Sequence, residues 1–197
     1  MRAILALPEG PRRTAAVVAW LQTQYGEDLE KPVLVGGAAV ELYTGGAYTT
    51  GDLDFVGRVP PAVATALEKS GFVRRGRHWV HEEGEIFIEF PSSSLDSDEE
   101  SVILEAEGQR ILVVEPEALI ADRLAAWQIW ESPEDGINAW LLARGRKLDR
   151  SKVDALAAAK GVTAAAQALA RAIERWQDRD PTEEELVSWA QIVPGES

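Results

Sequence analysis

The chain has 197 residues, of which 46% are hydrophobic and 27% are charged, as is typical of a globular protein with a substantial core. Its net charge of −13 argues against broad nucleic-acid binding through the whole surface, and the lack of cysteine excludes disulfides, thiolate nucleophiles and cysteine-ligated zinc. The two histidines, His78 and His81, are too few for a histidine-rich metal site. Any chemistry must therefore rest on carboxylates, and any metal on the oxygen ligands that Mg²⁺ or Mn²⁺ prefers.

Targeting signals are not evident in the sequence. No apolar run is long enough to cross a bilayer, and residues 1–20 lack a convincing signal-peptide cleavage pattern. We therefore expect a cytoplasmic protein without a membrane partner. Two local basic segments, residues 73–81 and 143–150, interrupt the acidic balance, and their composition favours solvated turns.

Hydrophobic periodicity predicts a first half that mixes helices with strands. Glycine and proline delimit most of these segments, as at Gly26, Gly57 and Gly71. Helices are predicted for residues 12–26, 38–46 and 61–71, and strands for residues 31–37, 52–57, 72–81, 85–91, 101–106 and 109–114.

After Glu115 the pattern becomes helical nearly to the end. Strands followed by a run of helices indicate the α+β fold class with a C-terminal helical lobe. We expect a domain over residues 1–115 and a lobe over residues 116–197 packed against it, because the segment at the boundary is too short for a flexible linker. The acidic stretch 92–101 predicts a mobile loop, and the tryptophans of the helical half are expected mostly in the core.

Two aspartates on one predicted strand suggest a cation site. Asp52 and Asp54 lie on the same face of the strand by alternation, whereas Leu53 and Phe55 point into a core. Two carboxylates this close repel each other, and a divalent cation between them removes that cost.

A glycine pair precedes this strand, at a junction between a strand and a helix. Glycine at 36 and 37 lets the backbone approach a phosphate closely, and amides at the start of the following helix favour an anion. A metal-binding carboxylate pair that faces a phosphate-accepting turn suits the transfer of a nucleotidyl group.

The segment GGAAVELYTGGAYTTGDLDF, residues 36–55, resembles the signature of the DNA polymerase β-like minimal nucleotidyltransferases, in which a glycine pair precedes an Asp-x-Asp strand. The run from Thr50 to Asp54 fits the T-x-D-x-D form and is nearest to the AbiEii-like toxins of toxin–antitoxin and abortive-infection systems. The resemblance implies a nucleotidyltransferase-type mixed sheet with flanking helices. It also implies a third carboxylate on a neighbouring strand, for which Glu89 is the first choice and Glu85, expected on the same face by alternation, is the second.

The resemblance continues into the helical half and spans about residues 33–145. It implies that Arg123 contacts nucleotide phosphates and that Asp135 matches a later aspartate of the family. The chain departs from the family at two positions: Ala38 stands where many active members have serine or threonine, and Arg123 where lysine is usual. Both departures bear on triphosphate affinity.

The function implied by the resemblance is transfer of a nucleoside monophosphate from a nucleoside triphosphate to an acceptor hydroxyl on a tRNA end, a small molecule or a protein. Mg²⁺ or Mn²⁺ would be held by Asp52, Asp54 and Glu89. A toxin of this kind would have a cognate antitoxin as partner. The nucleotide would be bound by Gly36, Gly37, Ala38, Thr50, Arg123 and Asp135.

The alternative is a binding or regulatory protein that keeps the fold but has a weakened triphosphate site. Ala38 favours this alternative. The three intact acids at 52, 54 and 89 favour the enzyme, because an inactive scaffold has no reason to keep like charges together.

Overall fold

The computed structural model describes residues 1–195. The chain divides into a sheet unit, Met1–Glu115, and a helical unit that begins at Pro116. Among the described residues, no helix combines the length and the apolar character that a membrane crossing requires.

The sheet unit contains the helices and strands that the hydrophobic periodicity predicts, in the predicted order. The run 72–81, predicted as one strand, is instead a hairpin, because Gly76 adopts a left-handed conformation (φ +62°) between its two halves. The helices are α1 Arg2–Leu5, α2 Pro11–Thr23, α3 Gly36–Thr44 and α4 Pro61–Lys69, with a 3₁₀ turn at Glu82–Gly84. The strands are β1 Val33–Val35, β2 Asp52–Val56, β3 Val73–Arg75, β4 His78–His81, β5 Ile86–Ser92, β6 Ser101–Ala106 and β7 Gln109–Val114.

The strands form one sheet in the order β3-β4-β5-β2-β1-β7-β6. β2 runs parallel to β5 and β1 parallel to β7, whereas β1 and β2 pair antiparallel. The outer pairs β3–β4, β4–β5 and β6–β7 are antiparallel. The sheet is therefore mixed, and the predicted α+β fold class with a mixed sheet and flanking helices is confirmed.

The core of the sheet unit lies against one face of the central strands. Leu34 of β1, Phe55 of β2 and Ile88 of β5 have no exposed surface, and Leu34 and Phe55 are direct partners across the β1–β2 ladder. Helix α3 contacts both of these strands. Because side chains alternate along a strand, Asp52 and Asp54 project to the face opposite Phe55.

Two buried polar side chains fix α2 and α3 against the sheet. The Gln22 amide of α2 donates to the Pro32 carbonyl at 2.9 Å and to the Leu112 carbonyl at 2.7 Å, and it accepts from the Leu112 amide at 2.9 Å. The Tyr43 hydroxyl of α3 donates to the Val114 carbonyl at 2.9 Å. Satisfied buried polar groups of this kind specify one position of each helix.

The helical unit consists of α5 Pro116–Ile129, α6 Pro133–Ala143, α7 Arg150–Ala159, α8 Thr163–Arg175 and α9 Glu183–Ala190. Side chains cap the N-termini of two of these helices. Asp149 caps α7 by accepting hydrogen bonds from the amides of Ser151 and Lys152. Thr182 and Glu185 form a capping box at the start of α9.

Tryptophans form much of the interior of the helical unit. Trp127 is fully buried, and its ring packs against Trp189 with the ring centroids 4.6 Å apart and the planes tilted by 53°. Its indole N–H donates to the Ala190 carbonyl at 2.7 Å. Trp140 is buried and meets Trp176 edge to face at 6.0 Å. Trp130 contradicts the expectation of a core position, since it follows the last residue of α5 and is 80% exposed.

Candidate functional site

The three acids singled out by sequence lie on one face of the sheet. Asp54 pairs in register with Val35 of β1 on one side and with Glu89 of β5 on the other. Residues in register project to the same face, and Asp52 shares that face as the neighbour two positions earlier. Asp52 is exposed, while Asp54 and Glu89 are partly buried.

The carboxylate of Asp54 lies against the first residue of α3. Helix α3 starts immediately after β1, at Gly36, which has a left-handed conformation (φ +68°). A Cβ atom at position 36 would lie only 2.6 Å from Asp54 Oδ2, so the approach requires glycine both for conformation and for space. The first amides of a helix have no intrahelical acceptor, and the helix dipole favours negative charge at this end.

Thr50 connects the glycine pair to the start of β2. A Cβ atom at Gly37 would meet Thr50 Oγ1 at 3.2 Å, and the same Oγ1 accepts from the Asp52 amide at 3.4 Å. Ala38 is fully buried, and its methyl group packs in the interior. The predicted residues 36, 37, 50, 52 and 54 are thus assembled around one helix start.

Glu89 is engaged by two basic side chains of the β3–β4 hairpin. Arg77 Nε lies 3.0 Å from Glu89 Oε1, and His78 Nε2 lies 2.9 Å from Glu89 Oε2. His78 is also the direct partner of Glu89 in the β4–β5 ladder. Both oxygens of the predicted third acid are therefore already engaged, one in an ion pair with Arg77 and the other in a hydrogen bond with His78.

The second choice for the third acid has a different position from the one expected. Glu85 precedes β5 and has a left-handed conformation (φ 49°), so alternation along the strand does not place it on the face of Glu89. It lines a cavity described below.

The donor set at the acid pair fits a hard divalent cation in part. In residues 1–195, no group of three or more His, Cys, Asp or Glu side chains is placed to hold a metal ion. Mg²⁺ is, however, commonly held by one or two carboxylates together with substrate phosphates and water. Asp52 and Asp54 meet that smaller requirement, and a metal-binding role of Glu89 stays a prediction.

The remaining predicted nucleotide-binding residues belong to the helical unit. Arg123 of α5 donates to Asp135 of α6, with Arg123 Nη1 2.8 Å from Asp135 Oδ1. Both side chains are largely buried, at 22% and 18% exposure. Within this unit the two residues therefore bind each other.

A cavity of about 480 Å³ near the start of β2 was not predicted from sequence. It lies along the amino ends of β2 and β5 and beside α2 and α3. Its wall includes Glu41 of α3, which is 1% exposed and accepts from the Thr14 hydroxyl at 3.2 Å. Burial raises the pKa of Glu41, an effect that hydrogen bonds from Thr14 and the Thr50 backbone oppose. The signal in the sequence is a single glutamate within the apolar run AAVELY.

Comparisons with known proteins give one structural likeness. No protein-family model matches the chain, and no curated protein matches it. The solved structures include an antigenic nucleotidyltransferase-like protein from Paracoccidioides brasiliensis, which is 17% identical over 92% of this chain and 93% of that chain, with a TM-score of 0.49.

Proposed function

We propose that the chain is a metal-dependent nucleotidyltransferase whose reaction centre is the open face of β2. The observation that carries the proposal is the contact between Asp54 and Gly36, the first residue of α3. It brings a carboxylate pair and a helix N-terminus together at one point. Phosphate groups favour a helix N-terminus, and a cation held by the carboxylates would offset the charge of those phosphates.

In the proposed reaction, the oxygen of an acceptor hydroxyl attacks the α-phosphorus of a nucleoside triphosphate. A new oxygen–phosphorus bond forms, the bond between the α-phosphorus and its bridging oxygen breaks, and pyrophosphate leaves with the bonding pair. The hydroxyl proton passes to a base, for which Glu89 is the candidate on this face. The amides at Gly36 and Gly37 would orient the phosphates.

Asp52 and Asp54 are the residues proposed to hold Mg²⁺ or Mn²⁺. The metal would supply positive charge at the phosphate oxygens. Because both oxygens of Glu89 already contact Arg77 and His78, a metal-binding or proton-accepting role for Glu89 requires exchange of at least one of these contacts. Arg123 is proposed to neutralise phosphate charge, in competition with its contact to Asp135.

The acceptor and the biological context rest on the resemblance of residues 36–55 to AbiEii-like toxins. A tRNA end, a small molecule and a protein all provide the required hydroxyl. A cognate antitoxin would be the expected partner if the chain is a toxin. The net charge of −13 favours a cationic acceptor over a large RNA, unless the basic segment 73–81 guides the RNA.

The experiment is a thermal-shift measurement with each of the four nucleoside triphosphates, with and without Mn²⁺. We expect a metal-dependent rise in the melting temperature of the wild type, because a ligand that binds the folded state stabilises it by mass action. Asp52→Asn/Asp54→Asn should abolish the rise. The control is Asp96→Asn/Asp98→Asn, which removes two exposed carboxylates with the same spacing. A rise that survives in the first variant would refute the assignment of the acid pair.

A second candidate function is a nucleotidyltransferase-like scaffold that binds a partner without catalysis. The pairing of Glu89 with Arg77 and His78 favours it, because this pairing already neutralises the acid proposed as base. No shift with any nucleotide, together with a normally folded wild type, would support this alternative over the enzyme.

A further inference from the structure

The cavity beside α2 and α3 is distinct from the acid pair. Its wall includes Thr49, Thr50, Gly51 and Leu53 from the chain leading into β2, but not Asp52. Leu53 projects to the face opposite Asp52, whereas Phe87, the in-register partner of Asp52, also lines the cavity, so the cavity opens at the edge of these strands, next to the open face of β2. The volume of about 480 Å³ lies within the range of small-molecule sites.

The ionisable groups that line the cavity are predominantly acidic. Glu9, Glu41 and Glu85 face a single basic group, Arg13. The Arg13 guanidinium already donates to the Gly84 carbonyl and lies 3.8 Å from Glu9. Arg13 is therefore engaged elsewhere, and Glu41 and Glu85 have no other basic residue among the described groups that line the cavity.

Glu41 differs from an ordinary surface carboxylate. It is 1% exposed, and burial raises its pKa, which shows that the charged form is poorly solvated. The contacts that stabilise its charge come from neutral donors, the Thr14 hydroxyl and the Thr50 amide. A cation in the cavity would supply the opposite charge that a buried carboxylate requires.

The rest of the wall is apolar. Val17 of α2, Leu53 of β2 and Ile86 of β5 are buried side chains at the cavity, and Phe87 is partly exposed beside them. Such a wall suits a hydrocarbon body rather than a hydrated metal ion, which would need several oxygen ligands.

We propose that this cavity binds a small organic cation, an aliphatic primary amine whose ammonium group pairs with Glu41 and whose hydrocarbon chain lies against Leu53 and Ile86. The ammonium would donate to the Glu41 carboxylate beside the Thr14 hydroxyl. Glu85 adds negative charge at the cavity wall and favours a second ammonium group. The site is separate from the proposed nucleotidyl transfer and does not depend on it.

The test uses 1,4-diaminobutane as the probe and 1,4-butanediol as its neutral isostere, with binding followed by amide chemical shifts of the whole chain at constant ionic strength. We expect saturable shifts at Gly10, Thr50, Gly51 and Phe87 with the diamine and none with the diol. Glu41→Gln should weaken binding by at least about tenfold, because a charge-assisted hydrogen bond is lost. Glu85→Gln should weaken it less, and the exposed neighbour Glu83→Gln, which lies outside the wall, should leave it unchanged.

Several results would overturn the proposal. These are equal binding of diamine and diol, undiminished binding by Glu41→Gln, or diamine shifts that disappear in Asp52→Asn/Asp54→Asn, which would place the cation at the acid pair instead. If Glu41→Gln does not fold, the proposal is tested instead by the affinity of the Glu85→Gln variant, whose substituted side chain is exposed, and by the positions of the diamine-induced amide shifts in the wild type. Unchanged affinity in Glu85→Gln together with shifts outside the cavity would then refute the site.

Discussion

The two units of the chain use their charged side chains differently. In the helical unit, Arg123 pairs with Asp135 and Arg179 with Glu185, and the contacts join neighbouring parts of that unit. In the sheet unit, Asp52 is exposed at the start of a strand, and Glu41 is buried beside a cavity with neutral donors. Carboxylates held in ion pairs contribute to the fold, whereas an exposed carboxylate such as Asp52, or a buried one whose partners are neutral such as Glu41, can bind a cationic ligand. The difference is consistent with the two sites proposed above, both of which belong to the sheet unit.

The largest loss of stability is expected when a side chain is removed from the interior of the helical unit. Trp127→Ala should lower the free energy of unfolding by about 3–5 kcal/mol, because it empties a fully buried site and leaves the Ala190 carbonyl without its donor. Trp130→Ala is the matched control, three positions further along, and should change stability by less than about 0.5 kcal/mol because Trp130 is 80% exposed. Chemical denaturation followed by circular dichroism measures both, and similar losses would contradict the packing described for Trp127.

The next largest loss of stability is expected at Gly36, where the start of α3 meets the acid pair. Gly36→Ala should cost about 2–3 kcal/mol, since the new Cβ adds a clash with Asp54 to an unfavourable left-handed conformation. Gly76→Ala has a similar φ of +62° but no neighbour within 4 Å, so it should cost only about 1 kcal/mol. Equal losses in the two variants, measured by denaturant titration, would show that the Asp54 carboxylate does not press on Gly36.

Much of the sheet unit follows from local rules. Alternation of polar and apolar residues was sufficient to place Asp52 and Asp54 together on the face opposite Phe55. The glycine pair marked the strand-to-helix junction because position 36 needs a left-handed conformation. These features depend on residues close in sequence, which is why sequence alone predicts them.

Other features depend on residues that tertiary structure brings together. The partners of Glu89 come from a hairpin whose register sets His78 opposite it, and no local pattern reports that register. The burial of Glu41 depends on which side of α3 meets α2. The predicted core position of Trp130 was wrong because this residue lies just beyond the end of α5, and periodicity defines helix ends poorly.

A smaller effect distinguishes a structural role of Arg123 from a nucleotide-binding one. A double-mutant cycle of Arg123→Gln and Asp135→Asn should give a coupling of about 1 kcal/mol in the free energy of unfolding, because the pair is largely buried and well aligned. If Arg123 also contacts phosphates, Arg123→Gln should reduce the nucleotide-dependent rise in melting temperature, while Asp135→Asn should retain it. An unchanged rise in both variants would assign Arg123 to the fold alone.

The smallest effect concerns the pH dependence of stability at Glu41. Burial raises the pKa of Glu41 in the folded state, so the folded protein binds more protons than the unfolded chain above the ordinary glutamate pKa of 4.5. Stability should therefore fall as the pH rises from this value through the raised pKa. Glu41→Gln has no proton to lose there, and its stability should decline less over the same interval, whereas the exposed control Glu83→Gln should follow the wild type. Denaturation curves between pH 4 and pH 8 measure the difference in slope.

Parallel wild-type and Glu41→Gln profiles would mean that the Glu41 carboxylate is well solvated. The same result would remove a reason for a cation to bind in the cavity. If the wild-type profile is steeper and flattens when 1,4-diaminobutane is added, the diamine offsets the energetic cost of burying the Glu41 carboxylate.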